Sequence, residues 1–249
     1  MISVNIPRVT PYDDPRELET SEVELLVTAF ARATQLAVWA GFDGVEIHAD
    51  SGYLIHQFLG TNTNHRTDKY GGSPRRRAQF ALEVLDAVCA VNGPEFVAIK
   101  LTPGSPVHDI VEDDLDEKYD YLVDELNQRG NLAFLHLYFR DLSSSTIFSR
   151  LAGQFRGAVL AEGHLSVEVS AALIKARHAD MVGFGRAFIA NPDLVHRLAR
   201  GLPCAEPNMD TFYTLGAEGY TDYPAWSADD SQISVARDLG ADLRRAMSG

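Results

Sequence analysis

The chain has 249 residues, 45% of them hydrophobic and 23% charged, a composition typical of a soluble globular domain. Its formal net charge of −13 disfavours nucleic acid and anionic membranes as partners. Cys89 and Cys204 provide neither a disulfide framework nor the spacing of metal ligands. We therefore expect reduced thiols, no metal site and a cytoplasmic location.

Residues 1–20 contain three prolines and predict an irregular N-terminal segment, with no signal peptide and no membrane span. A helix capped by Thr20 or Ser21 is expected to end near Gly41, because apolar residues recur between them at helical spacing. Residues 225–249 are expected to form a C-terminal tail or helix. A single domain is predicted for the whole chain.

Short apolar runs and amphipathic stretches alternate through the rest of the sequence. The runs predict strands at 44–48, 96–101, 132–139, 158–163 and 181–185, and the stretches predict helices at 75–91, 115–128, 167–177 and 193–200. This order predicts an α/β fold whose parallel strands are buried on both faces. Five strands suit an open doubly wound sheet, whereas a closed barrel has eight. No Gly-x-Gly-x-x-Gly follows the first strand, which disfavours dinucleotide binding.

The first strand ends in the stretch GVEIHADSGYL, residues 44–54. In parallel α/β folds the functional residues lie at the carboxyl ends of the strands, which selects His48, Ser51 and Tyr53 as candidates. His48 can donate a hydrogen bond to a carbonyl oxygen, and Tyr53 can deliver a proton. A structural role explains the same two residues equally well: His48 as a hydrogen-bonded histidine and Tyr53 as a tyrosine packed in the core.

The other strand ends form a basic, glycine-containing rim. Lys100 and Arg186 can balance the charge of an anion such as phosphate, and Gly163 and Gly185 let backbone N–H groups approach it. His164 follows Gly163 directly. The rim therefore predicts an anion site on an acidic protein.

Two further polar clusters have structural interpretations. The turn-rich stretch 62–73 predicts a loop held by salt bridges of Arg66, Asp68 and Lys69. The acidic run Glu112–Glu117 predicts a solvated helix start.

Residues 40–88, which contain GVEIHADSGYLIHQFLGTNTNHRTDKYGGSPRRR, resemble the central segment of the Old Yellow Enzyme family of FMN-dependent ene-reductases. Residues 182–203 (VGFGRAFIANPDLVHRLARGLP) and 210–224 (DTFYTLGAEGYTDYP) resemble the C-terminal signatures of that family, and 15–23 resemble its approach to the fourth barrel helix region. The resemblance covers nearly the whole chain. It implies a (β/α)8 TIM-barrel-type fold with strands four to eight present and the first three absent, hence an incomplete barrel.

The resemblance also implies a substrate site. His48 matches the histidine that hydrogen-bonds the carbonyl oxygen of the substrate, and Tyr53 matches the tyrosine that protonates its Cα. Ser51 stands where the family has asparagine or histidine as the second donor, so this donor is shorter here. Tyr213 matches an aromatic residue near flavin and substrate.

For the cofactor, the resemblance implies FMN. Lys100 stands where the family has an arginine at the N1/O2 edge of the flavin, so the charge is kept but the bidentate fork is lost. Gly163 and His164 match one half of the phosphate site, and Gly185 and Arg186 match the other half.

The implied function is a flavin-dependent oxidoreductase that uses NADH or NADPH to reduce the activated C=C bond of an enone or enal. The open edges of an incomplete barrel imply a homo- or hetero-oligomer that covers them. Two alternatives stay open: a non-redox isomerase or cyclase on the same scaffold without FMN, and a non-catalytic subunit that pairs with a full-length relative.

Overall fold

The computed structural model describes residues 15–140 and 146–227. The chain divides into two compact units, the larger one formed by 15–164 and 178–181, the smaller one, where described, by 165–177 and 182–227. The first fourteen residues of the predicted N-terminal segment, and all but three residues of the predicted C-terminal tail, lie outside the described residues.

Helices and strands alternate along the larger unit. Its elements are α1 (Thr20–Ala40), β1 (Val45–Ala49), α2 (Leu54–Leu59), α3 (Pro74–Asn92), β2 (Val97–Leu101), α4 (Leu115–Gln128), β3 (Phe134–Phe139), α5 (Thr146–Gln154) and β4 (Val159–Gly163). The last residue of the larger unit, Met181, is also the first residue of β5 (Met181–Gly183). The smaller unit contains α6 (Val167–Lys175), α7 (Arg186–Ala190) and α8 (Leu194–Arg200). Short 3-10 turns occupy Pro94–Phe96, Val107–Asp109 and Met209–Thr211.

The two long helices of the larger unit begin and end at residues suited to those positions. α1 starts with a capping box in which the Glu19 and Glu22 side chains each accept a backbone N–H, so Glu19 and not Thr20 or Ser21 is the N-cap. It ends at Gly41, which adopts a left-handed φ of 86°, as the sequence predicts. α3 starts after Ser73, whose side chain accepts the N–H of Arg76.

The strands of the larger unit form a parallel sheet whose order, β1-β2-β3-β4, follows the chain. The backbone N–H of Asp180 donates to the carbonyl of Val159 at 2.9 Å, so the chain enters β5 beside β4. The predicted α/β class and the parallel arrangement are therefore confirmed.

The two faces of this sheet differ in chemistry because successive side chains of a strand point to opposite sides. One face carries two buried apolar rows, Ile47, Ile99, Leu135 and Val159 in one and Ala49, Leu101, Leu137 and Ala161 in the other. The opposite face carries Glu46, His48, Lys100, His136 and Glu162. The expectation that both faces are apolar and buried is therefore wrong for this second face, where ionic partners take the place of apolar packing.

The helices of the larger unit pack on one another in sequence. α1 packs on α3, α3 on α4, and α4 on α5. Between α2 and α3, the rings of Phe58 and Phe80 lie 4.4 Å apart, and Tyr70 meets both edge-on. These contacts bury the apolar faces that the helical periodicity predicts.

The outer side of α1 is apolar and exposed. Leu25, Leu36 and Trp39 share one stripe and are 68%, 48% and 86% exposed. Among the described residues, α1 is the one helix long and apolar enough to cross a membrane by length and composition, a test that core helices of soluble proteins also pass. The predicted absence of a membrane partner therefore stays a prediction.

In the smaller unit, a buried arginine holds the loops that follow α8. The guanidinium of Arg197 is fully buried and donates to Asp193, to the carbonyl of Pro203 and to the carbonyl of Pro224. The backbone N–H of Trp226 donates to the other oxygen of Asp193. One ion pair thereby fixes the path of the chain from α8 to Trp226.

Candidate active site

The end of β1 turns sharply into α2. Ser51 and Gly52 have φ values of 52° and 78°, and the N–H of Tyr53 donates to the carbonyl of Asp50 at 3.1 Å. The turn places the Tyr53 ring 5.2 Å from the His48 ring, centroid to centroid. Tyr53 is 54% exposed and the His48 side chain 51% exposed. The strand end thus presents a phenol and an imidazole side by side to a ligand.

Three hydrogen bonds hold the turn in place. The N–H of Gly52 donates to Nδ1 of His56 at 2.9 Å, and its carbonyl accepts from the Gln57 amide at 2.8 Å. The N–H of Ser51 donates to Oγ1 of Thr102 at 2.9 Å, which ties the turn to the end of β2. These bonds fix the backbone of the two residues directly before Tyr53.

His56 belongs to a buried charged cluster beneath the turn. Its Nε2 lies 3.3 Å from the carboxylate of Glu112. Glu112 also pairs with Nζ of Lys118 at 2.6 Å and accepts a hydrogen bond from the hydroxyl of Tyr119 at 2.9 Å. Burial alone would raise the pKa of Glu112, but His56 and Lys118 outweigh it and lower that pKa to about 2. The predicted solvated helix start is therefore wrong for Glu112, because the loop before α4 folds this carboxylate under the turn.

The register of the sheet places three basic side chains in one row. His48 lies opposite Lys100, and Lys100 lies opposite His136. Glu162 on β4 joins the row, with its carboxylate 2.6 Å from Nζ of Lys100 and 2.9 Å from Nε2 of His136. Nδ1 of His136 lies 2.9 Å from Glu46, so this imidazole is held between two carboxylates.

The charges in this row stabilise one another. Burial lowers the pKa of Lys100 and of His136, but hydrogen bonds to Glu162 and the nearby carboxylates outweigh burial and raise both. The hydrogen bond from His136, against the opposing effect of burial and with the help of Lys100, lowers the pKa of Glu162 to about 2. Lys100 is thus a cation whose charge is already balanced within the row.

A second carboxylate, Asp50, lies between His48 and Lys100. It is 1% exposed, and its two oxygens lie 3.1 Å from Nε2 of His48 and 3.4 Å from Nζ of Lys100. Neither oxygen accepts a well-aligned hydrogen bond within residues 15–140 and 146–227.

A second histidine, His108, covers the other side of Tyr53. Their rings meet edge to face with centroids 5.2 Å apart, and Nδ1 of His108 donates to the carbonyl of Ser51 at 2.7 Å. His108 and Asp109 both have left-handed backbones, with φ of 57° and 59°. This strained turn between β2 and α4 forms one wall of the site.

The structure brings together four of the residues that the sequence singled out: His48, Ser51, Tyr53 and Lys100. Ser51 contributes its backbone to the turn, through the N–H that binds Thr102 and the carbonyl that binds His108.

The remaining candidates lie at the predicted kinds of position. Gly163 ends β4 in the larger unit and His164 follows it, whereas Gly185 precedes α7 in the smaller unit and the exposed Arg186 begins it. Tyr213, also in the smaller unit, is 44% exposed beside Phe212. The roles of all these residues stay predictions.

Taken separately, each unit contains residues that suit a part of FMN. In the smaller unit, the exposed guanidinium of Arg186 and the side-chain-free Gly185 suit a phosphate. In the larger unit, Lys100 keeps a cation at the end of β2 for the flavin edge, but Glu162 and Asp50 already balance its charge.

Three residues of the site escaped the sequence-based assignment of roles. Asp50 lies within the stretch GVEIHADSGYL. Its position directly after a buried strand was the signal that could have identified it as a site residue. Glu162 precedes the predicted phosphate glycine and lies opposite Tyr138 in the sheet, and only the ion pair in the folded structure shows that it meets Lys100. His108 reaches Tyr53 from another loop, for which no local signal exists.

Comparison with known proteins agrees with this geometry. Residues 4–205 match the model of the NADH:flavin oxidoreductase / NADH oxidase family. A probable flavin mononucleotide-dependent alkene reductase of Leishmania infantum is 38% identical over 224 residues, which are 87% of this chain and 60% of the relative. The 12-oxophytodienoate reductase 1 of Oryza sativa subsp. japonica is 37% identical over 237 residues, 90% of this chain and 62% of the relative.

Among solved structures, morphinone reductase in complex with tetrahydroNAD superimposes with a TM-score of 0.83 at 42% identity, covering 88% of this chain and 60% of that protein. This chain thus spans about 60% of the length of the relatives it matches. The expected resemblance to the Old Yellow Enzyme family is confirmed, and the chain belongs to the NADH:flavin oxidoreductase / NADH oxidase family.

Proposed function

We propose that this protein reduces the activated C=C bond of an α,β-unsaturated carbonyl compound with NADH or NADPH, using FMN. Membership of the family and the alkene reductase named among the relatives support the reaction class. The single observation that carries the proposal is the pair of exposed rings, His48 and Tyr53, at the end of β1. An enone needs a polar contact at its oxygen and a proton at its Cα, and these two side chains can provide them.

Within this proposal each residue has one task. Tyr53 delivers the proton to Cα, while His48 binds the carbonyl oxygen with help from Ser51. Tyr213 contributes an aromatic surface for the substrate. FMN, when bound, would supply the hydride, held by Lys100 at its ring and by Gly163, His164, Gly185 and Arg186 at its phosphate.

The proposal extends to fold and surroundings. We propose that β1 to β5 correspond to strands four to eight of a TIM-barrel-type arrangement. The net charge of −13 supports the absence of nucleic acid as a partner, and the reduced thiols support a cytoplasmic location. The exposed stripe of α1 supports association with another polypeptide, either a second copy or a relative.

The experiment that tests the reaction is reduction of a simple cyclic enone by the FMN-reconstituted protein under anaerobic conditions. Tyr53→Phe should lower the rate of enone reduction about 100-fold, because a general acid contributes ~10²–10⁴-fold. Reduction of the bound flavin by NAD(P)H should stay unchanged, because that step needs no proton from Tyr53. Stopped-flow absorbance separates the two steps.

Tyr121→Phe is the matched control, because Tyr121 lies on α4 under Arg75 and outside the site. It should leave both steps unchanged. A protein that binds no FMN, or that reduces the enone as fast with Tyr53→Phe as without it, would contradict the proposal.

A further inference from the structure

Asp50 is the least explained group in the site. Its carboxylate is 1% exposed, yet both oxygens lack a well-aligned hydrogen bond among the described residues. A buried carboxylate without such bonds is costly and needs a functional or structural reason. The nearest groups are Nε2 of His48 at 3.1 Å and Nζ of Lys100 at 3.4 Å.

Asp50 determines which nitrogen of His48 a ligand meets. The negative charge of Asp50, 3.1 Å from Nε2 of His48, favours the tautomer of neutral His48 that carries its proton on Nε2. The lone pair then resides on Nδ1. In this tautomer His48 offers a base to a ligand, with the negative charge of Asp50 behind it to stabilise a proton that arrives.

Tyr53 complements this base with a donor. Its ring lies 5.2 Å from the His48 ring and is half exposed, and its hydroxyl has no hydrogen-bond partner in the described part of the chain. The hydroxyl can therefore donate to the oxygen of a ligand that touches His48. One base and one donor on a common surface are the two groups that proton abstraction beside a carbonyl requires.

The remaining cation of the row is already engaged. Lys100 pairs with Glu162 at 2.6 Å and with Asp50 at 3.4 Å, so it balances carboxylates of the protein. The groups that stay available to a ligand at the end of β1, His48 and Tyr53, have the chemistry for proton transfer, which requires no reductant.

We propose that His48, positioned by Asp50, and Tyr53 catalyse a flavin-independent shift of a double bond in β,γ-unsaturated ketones. His48 removes a proton from Cα, and the electrons of that C–H bond form a dienolate whose oxygen accepts a hydrogen bond from Tyr53. The protonated imidazole then returns a proton to Cγ. One C–H bond breaks and one forms, and the product is the conjugated isomer with no net oxidation or reduction.

This activity goes beyond the proposed reduction and is independent of it. All three residues lie in the larger unit, and the step uses neither FMN nor NAD(P)H. The product is an activated alkene, which is the class of compound that the proposed reduction consumes. The double-bond shift uses His48 with its lone pair on Nδ1, whereas the proposed reduction uses a His48 N–H as the donor, so the two reactions would use different tautomers of one side chain.

The test uses the full chain freed of FMN, checked by loss of visible absorbance, with no NAD(P)H present. Cyclohex-3-en-1-one is the probe, and the rise in ultraviolet absorbance of its conjugated isomer measures the rate above a buffer blank. In D2O, mass spectrometry and NMR should find deuterium at the former γ carbon. The expected rate clearly exceeds the blank and does not change when FMN is added.

Variants assign the step to its residues. Asp50→Asn keeps the shape of the side chain and removes the charge, so kcat should fall about 100-fold while KM stays within about twofold. His48→Gln should reduce the rate to the blank. His65→Gln, at an exposed loop position outside the site, is the control and should match the wild type.

Circular dichroism confirms that each variant is folded. Because His48 is half exposed, His48→Gln keeps the test decisive if Asp50→Asn fails to fold. A wild-type rate equal to the blank, an unaffected His48→Gln variant, or turnover that occurs only with reduced flavin would overturn the proposal. Loss of NAD(P)H-dependent reduction with the double-bond shift retained would count against the proposed reductase alone.

Discussion

Among single residues, Gly52 sets how closely the loop of His108 can approach the turn before Tyr53. Its φ of 78° favours glycine, and a Cβ added there would lie 2.7 Å from the Cβ of His108 and 2.7 Å from the carbonyl oxygen of Val107. Gly72 has a similar φ of 88° but open space around it. Alanine substitutions at Gly52 and Gly72 therefore distinguish the cost of a left-handed backbone from the cost of a steric clash.

We expect Gly72→Ala to cost about 1 kcal/mol of unfolding free energy, from the left-handed backbone alone. Gly52→Ala should cost about 1–3 kcal/mol more, since overpacking adds to the same strain. It should also impair the activity of Tyr53, because the wall formed by His108 must move. Urea unfolding monitored by fluorescence measures the free energy of unfolding of both variants. Equal destabilisation by the two substitutions would show that a Cβ at position 52 does not clash with His108.

Single residues also show how much of the candidate site can be predicted from the sequence. His48 and Tyr53 were predicted as a pair because six positions of one strand end contain both. The environments of Asp50 and Glu162 were not predicted, because they follow from the register of neighbouring strands and from burial. His108 meets Tyr53 only through a loop contact across more than fifty residues, which no local pattern encodes.

Among the secondary-structure elements, α2 depends on the buried cluster beneath it. Glu112 is held by His56 and Lys118, and Lys118 also donates to the carbonyl of Leu59 at the end of α2 at 3.0 Å. The cluster therefore connects the loop before α4 with both ends of α2. Removal of one partner leaves a buried charge without compensation.

Glu112→Gln should destabilise the protein by about 3–5 kcal/mol, because it leaves the fully buried Lys118 ammonium without its nearest carboxylate. The pKa of Glu112 is lowered to about 2 in the folded protein, so its contribution is present above its unfolded value near ~4.5. The contribution is lost as the pH falls through about 2. Urea unfolding at several pH values should show a shallower acid dependence in the variant than in the wild type.

Asp113→Asn provides the matched control, because this neighbouring acid is exposed and, among the residues that the structure describes, its carboxylate accepts a hydrogen bond from the hydroxyl of Thr61 alone. It should change the unfolding free energy by less than ~1 kcal/mol. If Glu112→Gln were equally mild, the buried cluster would not be what holds α2.

The predicted helices include long and short ones. α4 was predicted at its observed bounds, Leu115–Gln128, because fourteen residues show an amphipathic period clearly. α2 and α7 were missed, and at six and five residues they are too short for that period to stand out. α5 was also missed, although α6, with the same nine residues, and α8, with seven, were predicted. The five strands were found from their apolar runs, yet the polar face of the sheet was not expected.

At the scale of the whole molecule, the exposed stripe of α1 should drive association with another polypeptide. Trp39→Glu places a charge at the most exposed residue of this stripe, near the end of α1, and should shift the protein towards a smaller species in sedimentation velocity. Gln35→Glu adds the same charge at an exposed polar position of the same helix and should leave the sedimentation unchanged. An identical distribution for Trp39→Glu and wild type would show that the stripe does not mediate association.

The strand order, which follows the chain, also has a consequence for synthesis on the ribosome. Roughly 50 residues separate Val45 from its partner Val97, and translation at ~5–20 residues per second needs about 3–10 s to supply them. Chain collapse takes only ~10–100 μs, so β1 waits many thousands of collapse times for β2. During each wait the newest strand exposes an unpaired edge. The nascent sheet therefore grows one strand at a time, and a chaperone that shields this moving edge would protect the protein most before β2 arrives.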